Sequence, residues 1–226
     1  MTAAEKPTWA ILIPTIPQRE ALFMRLLRIL LPQLDAHGER VRVIAWRNSG
    51  SPRLAEIRDE LIADAGTDYV SFIDDDDTVP EYYADEVIKA LDSRPDHVGF
   101  KLAYYRDGNL EETVEHSMIY SGWGRTRETG QLYRDFTHVD PIRRDLAVRG
   151  HFARARPNRA EDKIWVRQVR PFLDPAAEVY IDKIMYHYLW RPLESSWQNP
   201  GEIVPAGKAR PEISHHAFSW HPRSDT

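Results

Sequence analysis

The sequence predicts an α/β fold: a mostly parallel sheet flanked by helices, followed by a smaller irregular region. Three observations point to it. Short apolar runs alternate with amphipathic stretches through the first hundred residues. Each apolar run stops at a Pro, Asn-Ser or Asp cluster. Beyond that point the periodicity shortens and turn residues multiply.

Trp9 to Ile13 is a buried-strand run halted by Pro14, and Pro17 to Leu34 follows with helical spacing and a Pro at its start. Val41 to Trp46 reads as a second strand. Pro52 to Ala65 reads as a helix with Leu54, Ile57, Leu61 and Ile62 on one face. Tyr69 to Ile73 is the third strand, with Asp74-Asp75-Asp76-Asp77 at its carboxyl end, and Glu81 to Leu91 the third helix. Strand–helix alternation of this kind gives right-handed crossovers and a parallel sheet. Ligands of such sheets bind beyond the carboxyl ends of the strands, where Pro14-Thr15, Asn48-Ser49 and the aspartates all fall.

His97 to Tyr105 reads as a strand, Met118 to Tyr133 as short strands with Gly-containing turns, and Ala160 to Phe172 as a helix with Trp165, Val169 and Phe172 on one side. Two further strands are expected at Glu178–Ile181 and Ile184–Trp190. The stretch 192–226, rich in Pro, Trp and His, is either a tail packed on the body or a flap.

With 226 residues, 42% hydrophobic and 11% aromatic, the chain can bury a substantial core. It has no cysteine, which excludes disulfides, thiolate metal sites and cysteine nucleophiles. No secretory signal pattern and no uninterrupted apolar span stand out, so a cytoplasmic protein without a membrane span is expected. The net charge of −5 offers no general attraction to nucleic acid. Between Arg143 and Arg170, however, nine Arg/Lys face three acids, a basic segment that either pairs with the acidic first half or meets an anionic ligand.

Four adjacent carboxylates repel one another, and a divalent cation with oxygen preference relieves the repulsion. Mg2+ and Mn2+ are typically held by one or two carboxylates plus substrate phosphates, which suits an acidic run at the mouth of a parallel sheet. Thr78-Val79-Pro80-Glu81 has capping-box spacing, which accounts for one acid at most. A second pair, Glu161-Asp162, stands at a helix start after Asn158. Capping explains Glu161 and leaves Asp162 available as a general base.

The motifs Ile11-Leu12-Ile13-Pro14-Thr15, Arg58, and Asp68 through Asp77 together resemble the family 2 glycosyltransferases of the Rossmann-like GT-A fold. The resemblance runs from about Trp9 to Trp190 and implies an inverting, metal-dependent transfer from a nucleotide-sugar donor, with UDP as the expected carrier. It implies a GT-A domain over 1–191, with a nucleotide-sugar half at about 9–105 and an acceptor half at about 106–191. By position it puts Pro14, Thr15 and Arg19 at the nucleotide, Arg58 near the base or phosphates, and Asp74 and Asp75 toward the ribose. Asp76 and His187 are the implied ligands of Mn2+ or Mg2+, Asp162 the catalytic base, and His138 and Glu161 acceptor-side residues. A run of four permits a register slip, which leaves open which of Asp75, Asp76 and Asp77 holds the metal; with Asp76 as the ligand, Asp77 is a lead-in to the following helix. Many members carry acidic residues after the second strand, where this chain has Trp46-Arg47-Asn48-Ser49, so Trp46 either stacks on the base or joins the core.

The acceptor is unidentified: a saccharide, a protein or a modified nucleobase. A nucleotidyltransferase would need a Gly-rich phosphate loop after the first strand, which Pro14-Thr15-Ile16-Pro17 is not. A non-catalytic sugar-nucleotide or cation-binding module would have no use for Asp162.

Overall fold

The structure is a computed structural model that describes residues 5–49, 52–154, 161–190 and 217–221. Strands β1 (Trp9–Thr15), β2 (Val41–Arg47) and β3 (Tyr69–Phe72) are parallel, with β1 in the middle. A 3-10 turn, Pro17–Arg19, leads into helix α1 (Glu20–Asp35); α2 (Leu54–Asp64) and α3 (Tyr83–Leu91) are the next two crossovers. The run Trp9 to Ile13 is wholly apolar because helices cover both faces of the sheet. Its alternate residues divide between two cores. Trp9, Ile11 and Ile13 pack with α1 and α3, whereas Ala10 and Leu12 pack with Ile57, Leu61 and Ile62 of α2. Leu54, assigned to the same face from its spacing, is exposed because it opens the helix beyond the edge of the core.

The second half adds β4 (His97–Arg106), β5 (Asn109–His116), β6 (Gly124–Arg125), β7 (Leu132–Arg134) and β8 (Ile142–Arg143). Helices α4 (Arg144–Ala147) and α5 (Glu161–Val169) and strands β9 (Glu178–Trp190) and β10 (Phe218–Trp220) follow. Among the described residues these strands form one ten-stranded mixed sheet, ordered β10-β2-β1-β3-β8-β4-β5-β7-β6, with β9 paired to β4. β8 runs antiparallel between β3 and β4, so the sheet continues unbroken from the first half into the second.

Several expectations change. The two late strands are one, because Asp182 and Lys183 bulge where Phe100 pairs with Ile181 and Lys101 with Ile184. The helix expected to reach Phe172 ends at Val169, since Pro171 cannot donate to the ladder; a 3-10 turn follows and Phe172 is exposed beneath the Arg149 guanidinium. Val166 takes its place in the core beside Trp165 and Val169. Thr78 and Glu81 form no capping box: α3 begins at Tyr83 without a side-chain cap, and Thr78 instead exchanges two backbone hydrogen bonds with His187. Asn158, the expected cap of α5, lies outside the described residues, as do His215, His216 and most of the 192–226 stretch.

Ala217 to His221 is described, and it belongs to the body. β10 extends the sheet beside β2 in parallel, and His221 stacks on Trp46 with ring centroids 4.2 Å apart. Trp46 is therefore a core residue, covered by the chain's own C-terminal segment. No helix among the described residues is long and apolar enough to cross a membrane.

Behind the candidate site lies a buried polar layer. His116 Nδ1 meets Asp140 Oδ2 at 3.2 Å, and His97 Nδ1 meets Glu178 Oε1 at 2.9 Å. Burial holds the His116 pKa below its usual 6.5 despite the attraction of Asp140. Asp140, which burial would raise, is drawn below 3.8 by His116. Below pH 6.5 the unfolded chain takes up a proton at His116 that the native state refuses, so stability falls with pH from there. Asp140 stabilises the fold above its unfolded pKa, and that contribution is lost in stronger acid. The melting temperature is expected to decline from pH 6.5 to pH 5, and His116→Gln to flatten that decline; a profile unchanged by the substitution would contradict the assignment.

Candidate active site

The acidic run leaves β3 at the carboxyl edge of the sheet, and each aspartate meets different partners. Asp75 is buried, accepting from Thr15 Oγ1 and from Arg19 Nη1, both at 2.8 Å. The same Arg19 nitrogen is 3.2 Å from Asp76 Oδ2, and Arg25 Nη2 donates to the Asp76 carbonyl at 2.8 Å. The end of β1, the turn after it and α1 thus wrap the run with one hydroxyl, from Thr15, and two guanidiniums, from Arg19 and Arg25. Burial would lower the Arg19 pKa, but Asp76 and Asp75 together raise it. Burial outweighs Arg19 and Thr15 at Asp75 and pushes that carboxyl up to about 6. Pro14, expected to halt the first strand, instead pairs with Trp46 within it, and β1 continues to Thr15 opposite Arg47.

Asp74 turns toward Arg58, a residue only 4% exposed on α2. Arg58 Nη2 donates to Asp74 Oδ1 at 2.9 Å, and Nη1 is 3.5 Å from Glu161 Oε1 at the start of α5. Its guanidinium lies 5.7 Å from both the Phe72 and the Phe152 ring centroids. Burial would raise the Asp74 carboxyl, but Arg58 and then His138 hold it far below the usual carboxylate range. His138 Nε2 is 3.6 Å from Asp74 Oδ2. Arg58, expected near the base or phosphates, pairs here with two carboxylates of the protein itself.

Asp77 is more than a lead-in to α3. It is buried, accepting from Tyr186 Oη at 2.7 Å and from the Leu189 amide at 2.8 Å. Tyr186 Oη also accepts from the Asp74 amide at 3.1 Å, so one hydroxyl ties both ends of the run to β9. Burial, with Asp76 and Asp74 nearby, raises the Asp77 carboxyl well above the usual range.

Of these groups Asp74, Asp77, His138 and Tyr186 border a cavity of about 310 Å3, lined also by Tyr104, His116, Trp123, Arg134, Asp162 and Tyr188; Thr15, Arg19, Arg58, Asp75 and Asp76 are not among its lining. Asp162 reaches it from the first turn of α5, where its Oδ2 lies 3.3 Å from Arg134 Nη2 on β7. Arg134 in turn sits 4.6 Å from the Trp123 ring centroid, and burial holds its pKa below the usual arginine value. His138 and Asp162 therefore share the cavity with Asp74. Glu161 stands beside it, bound to Arg58.

His187 does not line this cavity. Alternation along β9 turns Tyr186 and Tyr188 inward and His187 the other way, against Tyr105 and with Nδ1 3.4 Å from Thr78 Oγ1. Burial lowers its pKa. Among the described residues no three His, Asp or Glu side chains converge as a ready-made cation site.

Much of the basic segment is spent on the body. Arg143 binds Asp96 and Asp145, Arg144 the carbonyls of Ile62 and Ala63, and Arg170 Asp135. Among the cavity-lining residues that sequence reasoning passed over are Tyr104, His116, Trp123, Arg134, Tyr186 and Tyr188. Only the period-2 alternation of Tyr186-His187-Tyr188 signalled any of them.

The model of the family described as Glycosyl transferase family 2 matches residues 27–156. No curated protein sequence matches the chain. Solved structures of S. aureus TarS 1–349 share its fold. The form in complex with UDP-GlcNAc superposes with a TM-score of 0.59 and 14% identity over 82% of this chain and 59% of that one. The form without a named ligand gives 0.58 and 13% over 80% and 60%, and the UDP complex 0.57 and 14% over 82% and 61%. The chain thus spans about three fifths of the length of these solved chains.

Two substitutions probe the scaffold of the site. Arg58→Met is expected to cost about 3 kcal/mol in urea denaturation, because Asp74 and Glu161 lose their shared cation while keeping some solvent contact. Tyr186→Phe, which deletes one hydroxyl from two buried partners, is expected to cost about 1–2 kcal/mol. A loss below about 0.5 kcal/mol in either case would remove that residue from the framework.

Proposed function

The chain belongs to glycosyl transferase family 2, and on that premise we propose that it transfers a sugar, with inversion, from a nucleotide diphosphate donor to an acceptor hydroxyl or amine. The single observation behind this reading is that Asp74, at the end of β3, and Asp162, at the start of α5, border one cavity. A donor at the carboxyl edge of the sheet would meet the acidic run on one side, with Asp162 facing it across the space. The TarS complexes with UDP-GlcNAc and UDP support a uridine diphosphate carrier on the same fold.

The acidic run fits a divalent cation by its charge. Asp74, Asp75 and Asp76 share Arg58 and Arg19 as their paired cations, Asp77 has only the neutral donors Tyr186 and the Leu189 amide, and Asp75 and Asp77 are already pushed toward protonation. Among the described residues no three His, Asp or Glu side chains converge, so in this reading phosphate oxygens would complete the shell of Mn2+ or Mg2+. In this reading Asp76, the more exposed neighbour of buried Asp75, is the ligand, and Asp74 and Asp75 face the ribose. Thr15 and Arg19 keep Asp75 in place at the nucleotide end of the loop that Pro14 opens. His187 would reach the diphosphate only by turning away from Thr78. When bound, the cation neutralises charge on the diphosphate.

Asp162 removes the acceptor proton as the acceptor atom bonds to the anomeric carbon. The bond from that carbon to the diphosphate oxygen breaks, and the nucleoside diphosphate leaves with the electron pair. A single displacement inverts the configuration. Arg134 holds the Asp162 carboxylate in its rotamer, and Glu161, bound to Arg58, sets where α5 begins. His138 borders the acceptor-facing wall beside Asp74.

Asp162→Asn is expected to reduce sugar transfer at least about 1,000-fold while donor binding persists. Asp76→Ala is expected to abolish the Mn2+-dependent part of UDP binding in calorimetric titration. Unchanged turnover in the first variant, or an unchanged titration in the second, would remove the role assigned to that residue. A donor screen scoring nucleoside diphosphate release with Mn2+ tests the activity itself.

A further inference from the structure

A second cavity, of about 300 Å3, opens on the far side of Asp162, and Trp123, Arg134 and Asp162 line both spaces. The two halves differ in charge. The first is lined by the carboxylates of Asp74, Asp77 and Asp162 against one arginine. The second is lined by Arg134, Lys163 and Arg167 with Asp135 and Asp162. Both of its acids are already paired: Asp135 is bound by Arg170, and Asp162 by Arg134. Lys163 and Arg167 sit four residues apart on the exposed face of α5, and neither makes an ion pair among the described residues.

Two cations one helical turn apart repel each other, and nothing in the packing of α5 requires them, since its buried face is Trp165, Val166 and Val169. Trp123, 54% exposed and with Arg134 against its ring, lines both cavities. An exposed indole at a cavity rim offers an apolar face to a ring or a carbon chain, while adjacent cations offer charge-assisted hydrogen bonds to an anion.

We propose that this second cavity is the acceptor subsite and that the acceptor carries an anionic group, phosphate or carboxylate, which Lys163 and Arg167 bind while its nucleophilic hydroxyl reaches Asp162. The assignment rests on the glycosyl-transfer reading of the first cavity. It explains why Asp162 lies on the partition between an acidic and a basic space: the donor's negative charge is handled by a cation on one side, the acceptor's by side chains on the other.

The test uses the whole chain and simple probes. Glycerol 3-phosphate and glucose 6-phosphate represent the phosphate source, glucuronate the carboxylate, and glycerol and glucose the neutral control. Each is titrated while the Trp123 indole N–H resonance is followed, with Trp123→Phe identifying that signal. The anionic probes are expected to shift it, to weaken with added salt, and to lose at least about tenfold in affinity in Lys163→Ala/Arg167→Ala. The charge-preserving pair Lys163→Arg/Arg167→Lys is expected to retain binding. Whichever anion binds more tightly identifies the source. Neutral probes binding as well as anions, anion binding indifferent to the double alanine variant, or no binding of any probe would each overturn the proposal. Titration of UDP with Mn2+ on the same sample separates the two readings. UDP binding without anion binding refutes the acceptor subsite alone, and anion binding without UDP binding refutes the donor site and the acceptor role with it.

Discussion

A buried guanidinium held between two carboxylates from distant parts of the chain organises this molecule. Arg58 lies on α2, Asp74 just past β3 and Glu161 at the start of α5, so one side chain ties two helices and the end of a strand together at the carboxyl edge of the sheet. A planar, permanently charged fork suits that task, because its nitrogens reach two partners at once while its faces rest near Phe72 and Phe152. Burying such a charge is costly unless it is paired, and Asp74 and Glu161 provide the pairing. The residue after Glu161 is Asp162. The ion pair that seats the acidic run therefore also sets where the proposed base begins its helix.

The acidic run is held from both sides by contrasting means. Thr15, Arg19 and Arg25 approach it from the first crossover, bringing positive charge. Tyr186 and the Leu189 amide approach it from β9, bringing neutral donors that tolerate a protonated or an ionised partner. That difference matches the carboxyls themselves: Asp74 is kept ionised beside Arg58, whereas Asp77, with only neutral donors, is driven toward its acid form. Four identical residues in a row thereby acquire different chemistry from their surroundings.

The first half of the fold was legible because parallel strands covered on both faces must be apolar throughout, and crossover helices must be amphipathic. Trp9 to Ile13 meets the first condition, and Val41 to Trp46 and Tyr69 to Ile73 meet it apart from Arg42 and Ser71. The spacing of Ile57, Leu61 and Ile62 meets the second. The second half resisted the same reading. Its strands are short, β8 is inserted antiparallel between β3 and β4, and β9 carries a two-residue bulge that reads as a break. The contribution of Ala217–His221 to the sheet was equally hidden, since a three-residue strand has no periodicity to detect.

The sequence by itself determined the chemistry available at the strand ends: four aspartates, a Pro-Thr loop, and a Glu-Asp pair at a helix start. Their order along the chain follows from local propensity and burial, which depend on near neighbours. Tertiary structure alone decided how those groups divide the work. It placed Asp74 and Asp162 on one cavity, committed Arg58 to internal pairing, turned His187 away while Tyr186 faced inward, and covered Trp46 with His221. Each of these depends on contacts between residues tens to more than a hundred positions apart. Such contacts are set by strand order and register, which no local pattern encodes.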